Sequence, residues 1–302
     1  MKPAPFEYVR PASVADALEA LAAYPDAKVL AGGQSLVPLL SMRLAAPSVL
    51  VDINGLSELT SITVDDGGVR VGALARHADV EAHAEARRAQ PLVSRALRLV
   101  AHPTIRNRGT TVGSIVHADA AAEMPMVLLL LGGHVSAASE QGRRDVPAAE
   151  LFVGPLETSL RHDELAVEAF FPALAADSGV AIDEVSRRHG DYALCAVAAH
   201  VSVRDGSVAE VRAGYVSVAD VPTVVDLTEP LAGGLSEQAL AEAADVALEQ
   251  LDPADDVHAT AAYRTRLVRT LTARVVTAAH AEAEAGSRSG SQGSDARERA
   301  IG

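Results

Sequence analysis

The stretch from His102 to Glu123 has almost no hydrophobic periodicity and is dense in Gly, Thr, Asn and Asp. Helical patterns precede it at 77–89 and 91–100, and an apolar run from Met124 to Leu131 follows it. Long irregular stretches inside a compact domain are uncommon and usually functional. We therefore expect the chain to place regular structure on both sides of this stretch and a ligand against it.

A second irregular point lies near the amino terminus, where short strands and helices alternate. Val29-Leu30 is typical of a buried strand, Gly32-Gly33 interrupts it, and a helical pattern resumes at Leu36. Glycines without a Cβ let backbone amides approach a ligand, and a helix amino terminus favours an anion such as pyrophosphate. A plain strand-to-helix turn is the alternative, because so short a motif often occurs without a ligand.

The segment from Thr104 to Ser114 concentrates hydroxyls and glycines, which suits a phosphate held by backbone amides. Asp119 and Glu123 follow it, and an acid beside a phosphate site commonly accepts a hydrogen bond from a sugar hydroxyl. Neither segment ends in the Gly-Lys-Ser/Thr of a Walker loop or contains G-x-G-x-x-G. A nicotinamide Rossmann site is therefore not supported.

Composition excludes several classes of protein. The net charge of −14 disfavours nucleic acid, and the single cysteine, Cys195, allows neither an internal disulfide nor an iron–sulfur cluster in this chain. The longest apolar run is far shorter than the ~20 residues of a membrane span, and the first residues lack a secretory signal, so we expect a cytoplasmic protein. Metal-ligand spacing and a G-x-S-x-G elbow are also missing, so we assign no metal ligand and no catalytic residue.

The remaining sequence predicts further strands and helices. We expect hairpins at 60–64 with 69–71 and at 193–203 with 208–218, and helices at 236–251 and 259–285. The run from Met124 to Leu131 fits a helix or a strand. After Gly286 the chain is poor in apolar residues, which predicts a disordered tail.

Several motifs together resemble one family. They are Ala31 to Leu36, Ile105 to Thr110, Gly113-Ser114 through His117-Ala118-Asp119 to Glu123, Phe152 to Pro155, Thr158 to Leu160 and Arg187 to Ala193. In order and spacing these are similar to the FAD-binding medium subunits of molybdenum hydroxylases, of the carbon monoxide dehydrogenase type in the xanthine dehydrogenase family. The resemblance covers approximately residues 3 to 285.

The resemblance implies an α+β fold with two FAD-binding subdomains of the PCMH-like type, followed by a C-terminal domain with an antiparallel sheet and helices. The expected bounds are 1–56, 57–176 and 177–285, with a tail at 286–302.

The resemblance also implies which residues bind FAD. The pyrophosphate would lie between Ala31, Gly32, Gly33, Gln34, Ser35 and Leu36 on one side and Gly109, Thr110, Thr111, Gly113 and Ser114 on the other. Asp119 and Glu123, next to Ala118, would bind ribose or ribityl hydroxyls, while Ala101, His102, Ile105 and Leu160 would line the cofactor. Tyr192 would lie near the isoalloxazine ring.

Two positions depart from the family pattern. Gln34 replaces a His, and both side chains can donate a hydrogen bond. Val112 replaces the first of two adjacent glycines. If that position needs a positive φ, a β-branched residue there costs about 1–3 kcal/mol; if it only needs room, the loop must move outward.

The implied function is an electron-transfer subunit of a heteromeric complex. A molybdenum subunit would hydroxylate the substrate, a small subunit would relay electrons through [2Fe–2S] clusters, and FAD in this chain would pass them to an external acceptor. The alternatives are a free-standing flavoenzyme and a non-enzymatic assembly subunit whose FAD site has decayed.

Overall fold

A computed structural model describes residues 2–298, with side chains through residue 288. Its strands, in chain order, are β1 Glu7–Val9, β2 Lys28–Leu30, β3 Val49–Asp52, β4 Ile62–Asp65, β5 Gly68–Gly72, β6 His134–Ser139, β7 Gly142–Pro147, β8 Phe152–Gly154, β9 Glu157–Thr158, β10 Leu165–Pro172, β11 Ser178–Ser186, β12 Ala193–Arg204, β13 Ser207–Val216 and β14 Thr223–Asp226. Its α-helices are α1 Val14–Ala23, α2 Leu36–Met42, α3 His77–Ala82, α4 Ala84–Ala89, α5 Pro91–Leu97, α6 Pro103–Arg106, α7 Thr111–His117, α8 Glu123–Leu130, α9 Ala148–Leu151, α10 Thr228–Leu231, α11 Glu237–Leu248 and α12 Ala261–Glu298.

The amino-terminal sheet is parallel, with strand order β1-β3-β2. Its central strand β3 is buried along its whole length, as expected of a strand covered on both faces. The carboxyl ends of parallel strands meet at the same edge of a sheet. The loop after β2 therefore lies beside the turn after β3. This edge of the sheet carries residues Ala31 to Leu36, the first glycine segment.

The second sheet is antiparallel, with strand order β4-β5-β10-β6-β7. The hairpin predicted across residues 65–68 is present as β4 and β5. The helices α7 and α8 pack against each other, and α7 also contacts β5 and β10. This packing fixes the amino terminus of α7 close to the start of α3. The second glycine segment, residues Thr104 to Ser114, lies at this point.

The third sheet, β11-β12-β13-β14, is antiparallel and lies between two hydrophobic cores. On β12, Ala196 and Ala198 face the core that contains α8, whereas Val197 and Ala199 face the core beneath α12. This alternation follows from the two-residue period of a strand. The sheet thus joins α8 to the carboxyl-terminal helix α12, and the predicted hairpin at 193–218 is confirmed.

Two local predictions are refined by the structure. The predicted helix 77–89 is two helices, α3 and α4, because His83 is extended at their junction and caps α4 through Nδ1. The run after Pro125 is a helix that is almost wholly buried, which explains why it shows no one-sided pattern.

α12 begins before the tail that the sequence predicts to be disordered and continues to Glu298; residues 299–302 of that tail lie outside the described part of the chain. Gly286 still packs on the protein, since a Cβ there would lie 2.3 Å from the carbonyl oxygen of Ala176. Each residue added to an existing helix gains a backbone hydrogen bond. Across residues 2–298, no helix is both long and apolar enough to cross a bilayer.

Candidate functional site

The first glycine segment presents a row of unpaired backbone amides. The N–H groups of Gly32, Gly33, Gln34 and Ser35 make no hydrogen bond to any described residue. Gly33 has a φ of 72°, a conformation that side chains with a Cβ rarely adopt, so the chain turns sharply here before α2. Buried or half-buried amides are almost always paired in proteins, so this row indicates a site for an anion.

The second glycine segment lies directly against the first. A Cβ on Gly32 would be 2.3 Å from the carbonyl oxygen of Arg108 and 2.8 Å from Cα of Gly109. Only a glycine permits this approach. The two segments are separated by more than seventy positions in the chain numbering and nevertheless form one surface.

A hydrogen-bond chain holds the two segments at this spacing. Asn54, just after β3, donates from Nδ2 to the carbonyl of Ala31 at 2.7 Å and receives Arg76 Nη2 on Oδ1 at 2.8 Å. Arg76 also donates from Nη1 to the carbonyl of Arg108 at 2.7 Å. Asp52 orients Asn54 through its backbone and side-chain N–H groups. One arginine fork thus links the edge of the first sheet to the loop before α7.

The second segment begins a short helix. Thr110 caps α7 by accepting the amide of Gly113 on Oγ1 at 3.2 Å, and a Cβ on Gly113 would lie only 2.5 Å from that oxygen. The amides of Thr110 and Val112 make no hydrogen bond within the described residues, although both residues are buried. Ser114 donates its amide to the carbonyl of Thr110. These amides extend the anion-binding surface.

Val112 takes neither of the two conformations considered from the sequence. It is a helical residue without a positive φ, and its side chain is 1% exposed in the core. The valine therefore carries no backbone strain and points away from the amide surface. The strain considered from the sequence required a positive φ, and it does not arise here because Val112 lies in the first turn of α7.

Thr111 and His77 support the segment from the inside. Thr111 is fully buried, its amide binds the carbonyl of Ala75, and its Oγ1 lies 3.2 Å from His77 Nδ1. Burial, and to a lesser degree the charge of Arg106, lowers the pKa of His77 to about 4. The imidazole is therefore neutral at pH 7 and packs against Gly109, where a Cβ would be 2.8 Å from its Cδ2.

A third part of the site is formed where the loop after α5 contacts the turn before β12. Ala101 has a φ of 45°, and Arg106 Nη1 donates to its carbonyl at 3.0 Å. Gly190, with a φ of 77°, is so close that a Cβ there would lie 2.7 Å from Nδ1 of His102 and 3.0 Å from the carbonyl carbon of Ala101. Residues predicted as cofactor-lining are thus brought together with the motif that contains Tyr192.

Acidic and aromatic side chains lie at this third part of the site. Glu123 is the first residue of α8, and burial raises its pKa to about 7. Desolvation and the charges of Asp119 and Glu123 raise the pKa of Tyr192, whose side chain is 64% exposed overall. A cavity of about 230 Å³ opens between Asp119 and Tyr192, and Arg264 is on its wall.

The other predicted residues occupy supporting positions. Ala118 ends α7 in a left-handed conformation and receives the amide of Leu156, while Ile105 accepts the amide of Gly109. Leu160 follows β9, which packs on α7, and Leu36 begins α2. Gln34 donates Nε2 to the carbonyl of Gly32, so this donor stabilises the turn itself.

Comparison with known proteins decides the family. Residues 4–174 match the model of the FAD binding domain in molybdopterin dehydrogenase, and residues 180–279 match the CO dehydrogenase flavoprotein C-terminal domain. The chain belongs to the FAD-binding medium subunits of molybdenum hydroxylases.

Individual relatives of this medium subunit are similar to it in sequence over nearly their full length. The 6-hydroxypseudooxynicotine dehydrogenase complex subunit alpha of Paenarthrobacter nicotinovorans is 43% identical over 91% of this chain and 95% of that protein. The nicotine 6-hydroxylase medium subunit of the same organism is 38% identical over 93% of this chain and 99% of that protein. A structure of carbon monoxide dehydrogenase from Hydrogenophaga pseudoflava superposes with a TM-score of 0.88 at 34% identity, covering 93% of this chain and 99% of that one.

FAD is the cofactor of this medium subunit, and the mixed helix-and-sheet fold predicted from the sequence is confirmed. The unpaired amides suit the negative charge of a pyrophosphate, and the buried carboxyl of Glu123 suits a sugar hydroxyl. When bound, FAD supplies electron transfer, while the protein supplies position and electrostatics.

The sequence did not single out Asn54, Arg76 or His77, although they hold the two segments together. Asn54 follows the strand β3 by two positions, and Arg76 immediately precedes α3. The position of Asn54 at the carboxyl edge of a parallel strand was a usable signal. Arg76 and His77 offered none, because they lie at the start of α3, in a part of the chain far from Asn54 in sequence.

Proposed function

We propose that this chain binds FAD between the Gly32–Ser35 amides and the Thr110–Ser114 segment, and that the flavin end lies toward Tyr192. The row of unpaired amides at Gly32–Ser35, held against Arg108 and Gly109, carries the proposal. Asp119 and Glu123 would accept hydrogen bonds from hydroxyl groups of the cofactor, and Ala101 and His102 would line the cofactor. Thr111 and Ala118 would support the site through their buried contacts.

We further propose that the subunit acts in a heteromeric complex. A molybdenum-containing large subunit would oxidise the substrate, a small subunit would carry electrons through [2Fe–2S] clusters, and FAD here would deliver them to an external acceptor. The names of relatives as complex or medium subunits support this arrangement. The single, buried Cys195 fits it too, because the thiolates of a cluster must then come from a partner. We place the complex in the cytoplasm.

FAD titration of the purified chain tests the site. Loss of the Arg76 fork in Arg76→Gln is expected to weaken FAD binding, whereas Gly233→Ala, at a glycine with open space around it, is not. If the wild-type chain shows no bound-flavin absorbance even with excess FAD, the proposed site is wrong.

Electron transfer needs the complex. The chain is co-expressed with candidate molybdenum and [2Fe–2S] subunits, and the purified complex is reduced with its substrate while flavin absorbance is followed. Bleaching of the flavin that requires the iron–sulfur subunit supports the proposal. Bleaching by substrate in the isolated chain would instead favour a free-standing flavoenzyme.

A further inference from the structure

A second buried carboxyl group, on Glu184, faces the same region as Glu123 from the carboxyl-terminal sheet. Ile182 on β11 is in register with Ala198 on β12 and Gly214 on β13. This row touches α8, because a Cβ on Gly214 would lie 2.7 Å from Cγ of Met126. Residues two apart on a strand share a face, so Glu184 faces α8 as well.

The helix places Glu123 above the next row of the sheet. Glu184 is in register with Ala196 and Val216, one row from the contact with Met126. Glu123 precedes Met126 by three residues, about one helical turn, and therefore lies on the same side of α8. The two carboxyl groups approach each other across the boundary between the FAD-side helices and the carboxyl-terminal sheet.

The surroundings of Glu184 favour a neutral side chain. Its Oε2 is buried and has no hydrogen-bond partner within the described residues. Burial, then the charge of Glu123, then that of Asp183 raise its pKa to about 8. Asp183 points to the other face of β11, where it pairs with Arg274. An unpaired buried carboxylate is costly, and protonation removes that cost.

Among the side chains that the structure describes, Glu123 also has no cationic partner. It is 7% exposed, and its pKa is raised by burial and by Asp119, while its own backbone N–H acts in the opposite direction. The other titratable group that senses its charge is Tyr192, from the loop before β12. Two carboxyl groups in one desolvated place cannot both ionise easily, and they titrate as a pair.

We propose that Glu184 is a positioning residue of the cofactor site, which shares one proton with Glu123 so that the pair presents a single negative charge to the hydroxyls of FAD. This inference rests on the proposed function, which assigns Glu123 to the cofactor. A neutral Glu184 leaves the Glu123 carboxylate as acceptor and keeps a second charge away from the phosphates. Loss of the shared proton adds that charge beside Asp119 and Glu123 and weakens FAD binding.

The test is FAD affinity of the full chain between pH about 6 and about 9. For the wild type, we expect the affinity to fall roughly tenfold as the shared proton is lost above neutral pH. Glu184→Gln keeps a neutral side chain of the same shape, so its affinity at pH about 7 should be within about threefold of the wild type and should not fall at high pH. Asp183→Asn is the matched control, because it removes a neighbouring acid from the opposite face. It should keep the fall in affinity and move it only slightly to lower pH, since Asp183 is the smallest of the three causes that raise the pKa of Glu184.

An infrared measurement gives a readout that does not use FAD. The wild-type chain should show a carbonyl band from a protonated carboxylic acid that persists above pH about 7. In Glu184→Gln the band should disappear at lower pH, because Glu123 is then the only one of the two acids left, and in Asp183→Asn it should persist as in the wild type. The inference is overturned if Glu184→Gln keeps the wild-type pH profile of FAD affinity or the wild-type pH dependence of that band, or if wild-type FAD affinity does not change with pH. Absence of FAD binding at every pH overturns the proposed function together with this inference, whereas pH-independent binding overturns only the inference.

Discussion

Replacing Gly32 by alanine tests whether contact between the two glycine segments creates the cofactor site. The added Cβ would lie 2.3 Å from the carbonyl oxygen of Arg108, and real contacts of this kind essentially never fall below 3.0 Å. The loops must therefore separate by at least 0.7 Å, the difference between these two distances. The neighbouring atoms are backbone, so no flexible side chain can move aside instead.

The size of the effect follows from the cost of overpacking. An extra methyl group in a well-packed place costs about 1–3 kcal/mol. If the loops stay together without FAD, the free energy of unfolding of the apoprotein falls by this amount. If they separate, FAD must bring them back, and its affinity falls by roughly 5- to 150-fold. The two losses together should therefore come to about 1–3 kcal/mol.

Urea unfolding of the apoprotein and fluorescence titration with FAD measure the two losses separately. Gly233→Ala is the matched control, because it makes the same chemical change at a glycine with nothing within 4 Å of the new carbon. This control also corrects for the effect of a Gly→Ala change on the entropy of the unfolded chain, which is about 0.4–1 kcal/mol of unfolding free energy. If Gly32→Ala loses less than about 0.5 kcal/mol in total relative to this control, the contact does not create the site.

Three further changes probe the same region. Val112→Gly should lower the free energy of unfolding by about 2–4 kcal/mol, because it removes a core side chain and places glycine in a helix; an unchanged urea midpoint would contradict the core position. Arg76→Gln should weaken FAD binding at least about tenfold by releasing the carbonyl of Arg108, and Arg76→Lys should not restore it because lysine lacks the fork. The pKa of His77 is about 4 when folded and about 6.5 when unfolded, so its contribution to stability is present above pH 6.5 and is lost as pH falls toward 4. The wild type should lose about 3 kcal/mol of unfolding free energy over that interval from this residue, and equal acid sensitivity in His77→Gln would argue against the assignment.

The regular parts of the fold were predictable where turn residues separate two strands. The hairpins β4–β5 and β12–β13 follow from such turn residues. The hairpin β6–β7 shows no readable alternation, because β7 is exposed at five of its six positions. The helix α8 is buried on nearly all sides, so the apolar run that forms it cannot be distinguished from a strand by periodicity.

The site was predictable as two motifs but not as a contact. Gly32-Gly33 and Thr110 to Ser114 could be read from residue types, and the structure places them side by side. The sequence left the conformation of Val112 open because α7 has only seven residues, and its capping by Thr110 depends on the approach of Gly113. The arginine fork of Arg76 depends on how two separate sheets pack, which local sequence does not encode.

The position of Gly190 against His102 has a consequence for the order in which the protein matures. The residues of the proposed phosphate surface are all present once the chain has been synthesised through α7, whereas Gly190 and Tyr192 come from a later part of the chain. The amide of Ser217 also binds the carbonyl of Ala120, so the loop next to Asp119 is fixed only by residues made later still. In the proposed arrangement, the residues that hold one end of the cofactor are synthesised before those that enclose the other, so closure around the flavin end would be a late step in biogenesis.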